Sequence, residues 1–296
     1  MSRIAVLGSA NMDLVVRQPR PVLPGETIFG TSFTTGPGGK GLNQAIAAAR
    51  AGADVAFVGA VGDDAFGERL RERLTSDGVD TGALRTVADA TGIAAITVTD
   101  DGENAIVVVA GANGQSAFED RDRAVVAGAS HLVVQLERPA ELLREALAFA
   151  RERGVTTVLT PAPARAGIED LVALADILVP NEGEAALLSG LSDAEDAAIA
   201  LSRSGGTVVV TRGSRGAVVA RGGRLIHEVP AYPAEAVDTT GAGDTFTGVL
   251  VAWLASGADL HEALRAAAAA ASLAVGRPGA ADAAPTRSEI LEILAG

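Results

Sequence analysis

The chain contains no cysteine. That excludes a disulfide framework and a thiolate metal site, and it fits a reducing compartment. Aromatic residues make up only 3%, with one tryptophan and one tyrosine, so the core must be built from alanine, valine, leucine and isoleucine. Positive charge is scarce. The 24 lysines and arginines face 37 acidic residues, for a formal net charge of −13. Such a balance disfavours nucleic acid and anionic membrane as partners. No apolar run reaches the ~18 residues of a membrane span, and Asp13 cuts the N-terminal apolar stretch short of a signal peptide. His131, His227 and His261 lie far apart with no ligand spacing, which argues against a zinc site. A G-x-S-x-G elbow is missing, which argues against an α/β-hydrolase. These absences point to a soluble, cytoplasmic protein.

What is present is a large apolar fraction, 48% of 296 residues, enough for one large α/β domain or two ordinary ones. Short β-branched runs recur: RIAVLG (3–8), VAFVGA (55–60), HLVVQL (131–136), VTTVLT (155–160), DILVP (176–180) and TVVVT (207–211). Between them lie segments of helical length, 41–51, 65–76, 140–152 and 193–203. This alternation predicts a mostly parallel sheet with helices on both faces. Two stretches break the rhythm. Residues of about 14–36 read as extended, with Pro19, Pro21 and Pro24 among them, and residues 92–110 read as two strands around Asp101-Gly102, a hairpin signal. Neither is followed by a helix as the rest of the chain would have it. They predict a small β subdomain inserted into the α/β body as a lid, or else an antiparallel extension of the main sheet. The run RAAAAAASLAV (265–275) is helical in propensity, and its small side chains permit close approach. No fixed-period repeat is visible.

Two glycine loops carry the chemistry. The first, TTGPGGKGLNQA (34–45), contains Gly36-x-Gly38-x-x-Gly41 ahead of a helical run. A dinucleotide fingerprint would follow the first strand directly, but here a proline-rich segment intervenes. A Walker A loop fails as well, because Thr34 stands where its first glycine belongs and Gly41 where its Ser or Thr belongs. What remains is a loop that presents Lys40 and Asn43 at a helix start, donors suited to a hydroxyl-rich ligand, or a tight structural turn with an exposed lysine. The second loop, AVDTTGAGDTFTGVL (236–250), runs Thr239-Thr240-Gly241-Ala242-Gly243 into a helix. Unpaired amides and the helix dipole favour an anion there. Asp244 is then either a helix-start acid or a base beside an anion hole, and hole plus base is what phosphoryl transfer to an alcohol requires.

Together these segments resemble the ribokinase-like (phosphofructokinase-B type) sugar and nucleoside kinases. GPGGKGLNQA is similar to that family's N-terminal signature and DTTGAGDTFTG to its C-terminal one. PNEGE (180–184) fits its N-x-x-E motif through Asn181 and Glu184. GSANMDLV (8–15), PGET (24–27), AGAN (110–113), QLE (135–137), PAPA (161–164) and TRGSRGA (211–217) extend the likeness along the whole chain.

The resemblance implies one kinase domain over 1–296, a three-layer αβα sandwich with the lid inserted. It implies phosphorylation of a sugar by ATP, with D-ribose at O5 the expected reaction. A kinase of the same fold acting on 2-deoxyribose, fructose or a nucleoside is the alternative, and a catalytically silent sugar-binding regulator a further one. By the same resemblance Asp244 is the base and Gly241, Ala242 and Gly243 form the anion hole. Asn11, Asp13, Gly39, Lys40, Asn43 and Glu137 would bind sugar, Asn11 and Asp13 from the end of the first strand. Asn181 and Glu184 would lie near the phosphates and magnesium, and Thr211, Gly213, Ser214 and Gly216 along the nucleotide. Without the resemblance, PNEGE reads as a capping box and TRGSRG as a turn between strands. A potassium ion is expected on Asp238 and the carbonyls of Thr240, Ala274, Arg277 and Gly279. The family also implies a homodimer formed through the lid. The sequence departs from the family pattern at three positions. Ala283 stands where a serine cation ligand is common, so that the site has one ligand fewer or Asp282 or water fills the gap. Ala268 is small for a residue beside the adenine. Leu42 replaces the usual alanine next to Asn43, either narrowing the sugar pocket or packing into the core.

Overall fold

The computed structural model describes residues 2–296. Thirteen strands and ten α-helices follow one another along these residues. They begin with β1 (Arg3–Leu7), β2 (Asn11–Gln18), β3 (Ser32–Gly38), α1 (Lys40–Arg50), β4 (Asp54–Gly62), α2 (Ala65–Ser76) and β5 (Asp80–Val87). Next come β6 (Gly92–Thr99), β7 (Asn104–Val109), α3 (Asp120–Ala127), β8 (His131–Gln135), α4 (Ala140–Glu152), β9 (Thr156–Thr160) and α5 (Glu169–Ala173). The rest are β10 (Ile177–Leu178), α6 (Glu182–Ser189), α7 (Ala194–Leu201), β11 (Thr207–Thr211), β12 (Ala217–Arg221), β13 (Arg224–Val229), α8 (Ala242–Ala255), α9 (Leu260–Val275) and α10 (Arg287–Ala295).

Nine strands form the main sheet in the order β13-β12-β11-β10-β9-β8-β1-β4-β5. All its pairs are parallel except β11–β12 and β12–β13. Side chains alternate along β1, and the core divides with them. Ile4 and Val6 join a cluster with Ile46 of α1, Leu70 of α2, Val249 and Leu250 of α8, Ala266 of α9 and Ile290 of α10. Ala5 and Leu7 join another with Val126 of α3, Leu142, Leu143 and Leu147 of α4, Leu171 of α5 and Ala197 of α7. A strand buried on both faces needs helices on both faces, and these two clusters are the outer interfaces of the three layers.

The segments that broke the helical rhythm form a separate four-stranded sheet, β3-β2-β6-β7. They do not extend the edge of the main sheet. Within this sheet β2 runs parallel to β6 and antiparallel to β3, while β6 and β7 form the expected hairpin. Its turn relies on Gly102, whose φ is 86°. Of the proline-rich segment, only its two ends lie in strands.

Several elements differ from the sequence reading. DILVP keeps only two strand residues, and the helix of 193–203 ends in a 3₁₀ turn at Ser202–Ser204. The hairpin of β12 and β13 and the strand β5 are additional. β12 and β13 meet at Gly222-Gly223, a two-residue glycine turn that is itself a hairpin signal. β5 buries only the adjacent Ala83 and Leu84 among polar and exposed residues, so it lacks a continuous apolar run. No described helix is long and apolar enough to cross a membrane.

Helices α1 and α8 pack side by side at Gly248. A β-carbon there would lie 2.5 Å from the carbonyl oxygen of Gln44 and 2.8 Å from Cβ of Ala47. Gly248→Ala is therefore expected to destabilise the protein by about 1–3 kcal/mol, although alanine is the better helix former. Urea unfolding measures this. An unchanged or higher midpoint would mean that the helices separate without cost.

Candidate active site

The main sheet changes direction of winding beside β1, whose neighbours are β4 and β8. Ligands of open α/β sheets bind outside the carboxyl ends of strands at such a point. The residues leaving β1 and β8 there are Gly8-Ser9 and Leu136-Glu137. The Ser9 hydroxyl donates a short hydrogen bond to the Glu137 carboxylate, which also accepts the Lys40 amide at 3.0 Å. Three chain segments thus meet on one carboxylate.

Asn11 and Asp13 do not end the first strand, as the sequence reading had it. They open β2 of the small sheet, because Gly8-Ser9-Ala10 carries the chain out of the main sheet. Two residues apart on a strand, they share a face, while Met12 between them points into the core. Asn113 pins this start. Its side chain accepts the Ala10 amide at 3.1 Å and donates to the Ala10 carbonyl at 3.0 Å and to Oδ1 of Asn11 at 2.8 Å.

The glycines of the first loop are explained largely by the chain itself. Gly39 has φ 94°, and a β-carbon on it would sit 2.8 Å from the Asn11 amide nitrogen. One on Gly41 would sit 2.6 Å from Cα of Gly8. The loop must lie directly on residues 8–11 for α1 to aim Lys40 and Asn43 inward. Leu42 is fully buried in the core cluster, so of its two expected roles it takes the packing one.

Asp244 lies in the first turn of α8 and is buried. Its Oδ2 accepts Nδ2 of Asn43 at 3.1 Å and its Oδ1 accepts Nε2 of Gln44 at 2.8 Å. Burial pushes the Asp244 carboxyl above its ordinary pKa, while Lys40 and the two amide donors oppose the rise. Burial pulls the Lys40 ammonium down, but Asp244, Glu137 and Glu184 outweigh it and hold it charged. Oδ1 of Asn43 is buried with no partner among the described residues. It is an acceptor aimed where a ligand hydroxyl would satisfy it.

Beside the start of α8 a cleft of about 820 Å³ opens. Asn181, Thr211, Gly213, Ser214, Gly216, Ala242 and Gly243 line it, all of them expected at the nucleotide. Ala268 lines it too, with Ala271, Ser272, Tyr232 and Phe246, which the sequence reading did not single out. TRGSRG is both the turn between β11 and β12 and part of this wall. Glu184 does not line the cleft. It caps α6 reciprocally with Asn181, at 2.8 Å in each direction. Its carboxyl is nonetheless raised by burial, against the Asn181 amide and Lys40.

At the start of α8, Gly241 has φ 73° and the Ala242 amide donates to the Thr239 carbonyl at 3.3 Å. Ala242 is thus partly occupied, and Gly241 and Gly243 remain as the first-turn amides expected to face an anion. A β-carbon on Gly243 would meet nothing within 4 Å.

Asp238 accepts the amides of Thr240 and Gly279, both at 2.9 Å. Burial raises its carboxyl, but the bonds from Thr240 and Gly279 and the charge of Arg17 bring it below the ordinary range. The Ala274 carbonyl accepts the Arg277 amide at 3.0 Å. Ala283 is fully buried, and Asp282 pairs with Arg73. Asp282 therefore does not turn inward to replace the missing serine.

Asp13 is pushed up to about 6 by burial and by the neighbouring Glu137 charge. Its folded value lies above the unfolded one, so its contribution favours the fold below pH ~4 and is lost as pH rises through 6. Asp13→Asn should therefore stabilise the protein at pH 7.5, by at most about 3 kcal/mol, and have little effect at pH 4. Thermal melts at the two pH values test this. Equal shifts at both would remove the buried charge as the cause.

The model of the pfkB family carbohydrate kinases matches residues 1–287. The ribokinase of Haemophilus influenzae is 38% identical over 98% of each chain. That of Bacillus subtilis is 40% identical over 99% of this chain and 100% of its own. The structure of Arabidopsis thaliana ribokinase complexed with ribose and ATP superposes with a TM-score of 0.93 at 34% identity, covering 99% of this chain and 98% of the other. A match of this extent, on a fold with both glycine loops in place, means that the chain belongs to the pfkB family of carbohydrate kinases.

Proposed function

We propose that the protein transfers the γ-phosphoryl group of ATP to O5 of D-ribose, giving ADP and ribose 5-phosphate. The observation that carries this reading is the buried Asp244 carboxylate, which accepts the Asn43 and Gln44 amides of α1 while its chain neighbours Ala242 and Gly243 line the 820 Å³ cleft. Asn11, Asp13, Gly39, Lys40, Asn43 and Glu137 hold the sugar, with Oδ1 of Asn43 accepting one of its hydroxyl protons. Asn181, Thr211, Gly213, Ser214 and Gly216 border the nucleotide.

Asp244 takes the proton from the O5 hydroxyl as that oxygen attacks phosphorus and the bond to ADP breaks. The amides of Gly241 and Gly243, with a lesser part for Ala242, hold the negative charge on the transferring group. The Lys40 charge opposes the rise that burial imposes on the Asp244 carboxyl. β2 carries Asn11 and Asp13, so the small sheet acts as a lid over the sugar, and its closing keeps out water, the competing acceptor.

The donor chemistry fits two cations. Glu184 and Asn181 are hard oxygen donors at the start of α6, so they would hold magnesium. Asp238 and the carbonyls of Thr240, Ala274, Arg277 and Gly279 would supply an all-oxygen set of the kind potassium takes, with one hydroxyl fewer because of Ala283. Bound there, the two ions supply positive charge to the phosphates and to the loop that ends in the anion hole.

The exposed apolar strand β7 supports a homodimer through the small sheet. Ile106, Val107, Val108 and Val109 are all at least half exposed, on an edge with unpaired backbone groups. Sedimentation velocity should give twice the chain mass, and Val108→Asp should give the monomer. A monomeric parent protein would withdraw the dimer.

The function itself is tested by coupled assay of ADP release with ATP and magnesium. The acceptors are D-ribose, 2-deoxyribose, fructose, adenosine and uridine, each with and without potassium. D-ribose with potassium should turn over fastest, and Asp244→Asn should lose ~10²–10⁴ in rate with the fold intact. Preference for another acceptor would overturn the substrate. Near-normal turnover of the Asp244 variant would overturn the base.

A further inference from the structure

Gln44 and Gln135 are both fully buried, and neither belongs to the ligand-contacting set above. They connect α1, β8, β9 and α8 in one polar chain. Nε2 of Gln135 donates to Oε1 of Gln44 at 2.6 Å. Nε2 of Gln44 donates in turn to Oδ1 of Asp244 at 2.8 Å, with Thr160 Oγ1 3.4 Å away. We propose that Gln44 and Gln135 are positioning residues for the reaction, an amide relay that fixes the orientation of the Asp244 carboxylate and leaves Oδ2 as its proton-accepting oxygen. The inference rests on Asp244 being the base.

The direction of the relay follows from the charge at its end. A carboxylate only accepts, so Gln44 must present its NH₂ to Asp244. Its oxygen then faces the sheet and takes the NH₂ of Gln135. Oε1 of Gln135 has no partner among the described residues, and it lies where a β-carbon on Gly8 would sit, 2.4 Å away. No outside donor fixes the far end, so the relay is oriented from Asp244 backwards. With Oδ1 tied to the interior, the proton from the sugar hydroxyl goes to Oδ2, beside Asn43. The relay keeps the same donors and acceptors before and after the transfer, so it need not reorganise during the reaction.

Two buried glutamines are also what an ordinary satisfied core contact would contain, so the test must read more than stability. The charged groups facing Asp244 are Lys40 of α1, Glu137 beyond β8 and Glu184 of α6. None changes in the variants. Removing a donor from a carboxylate raises its pKa. In Gln44→Met, kcat for D-ribose should fall roughly tenfold to a hundredfold, and the acid limb of its pH profile should move up by about one pH unit. The KM for D-ribose should stay within about threefold, because the variant leaves the hydroxyl-binding groups in place. Gln135→Met should change kcat and the limb in the same direction and by less, and it carries the test if Gln44→Met does not fold. Asp244→Asn, assayed alongside, separates the two readings. Its retaining turnover would overturn the base, and the relay with it. An inactive Asp244→Asn, together with glutamine variants whose acid limb stays at the parent pH, would overturn the relay alone.

Discussion

The site depends on one contact, the close packing of α1 against α8. Gly248 lets the two backbones approach, and one turn earlier on α8 stands Asp244. The approach delivers two side-chain amides from α1, Asn43 and Gln44, to its two carboxylate oxygens. A carboxylate buried without such donors would take up a proton and cease to be a base. The same helix brings the Lys40 ammonium to face it. Packing of two helices and ionisation of one residue are thus a single arrangement.

The proposed sugar side is organised around a second carboxylate. Glu137 leaves β8 at the switch point of the sheet and gathers the Ser9 hydroxyl and the Lys40 amide. Asn113 then fixes the start of β2 from the other side. Because β2 begins where the main sheet ends, the groups that would hold the sugar belong partly to the α/β body and partly to the small sheet. Movement of that sheet necessarily moves Asn11 and Asp13. The proposed nucleotide side is built differently, largely from glycine, alanine and other small residues of turns and of α8 and α9, with Tyr232 and Phe246 among them.

Much of this was legible along the chain. The buried β-branched runs announced a parallel sheet because a strand covered on both faces has no polar side to alternate with. The Asp101-Gly102 turn announced the hairpin, and the two glycine loops announced where helices begin. Less legible were elements whose pattern is not local. β5 is a mostly polar edge strand that buries only Ala83 and Leu84, and β10 is two residues held only by its neighbours. The role of Leu42 depended on which way one helix face points. Asp282 was tied up by Arg73, a residue more than two hundred positions away.

By itself the sequence determined the fold class, the family and the residue types at the site. Those follow from local periodicity, turn chemistry and two signatures that survive without coordinates. Only the tertiary structure decided that the glycines of the first loop make room for the chain's own residues 8–11. It alone decided that Asn11 and Asp13 start a strand of a second sheet, and that Gln44 and Gln135 join end to end behind Asp244. Each of these is a contact between segments from about 30 to 200 residues apart in the chain. No spacing within one segment encodes such a contact, and only the packing of the layers brings the partners within hydrogen-bonding reach.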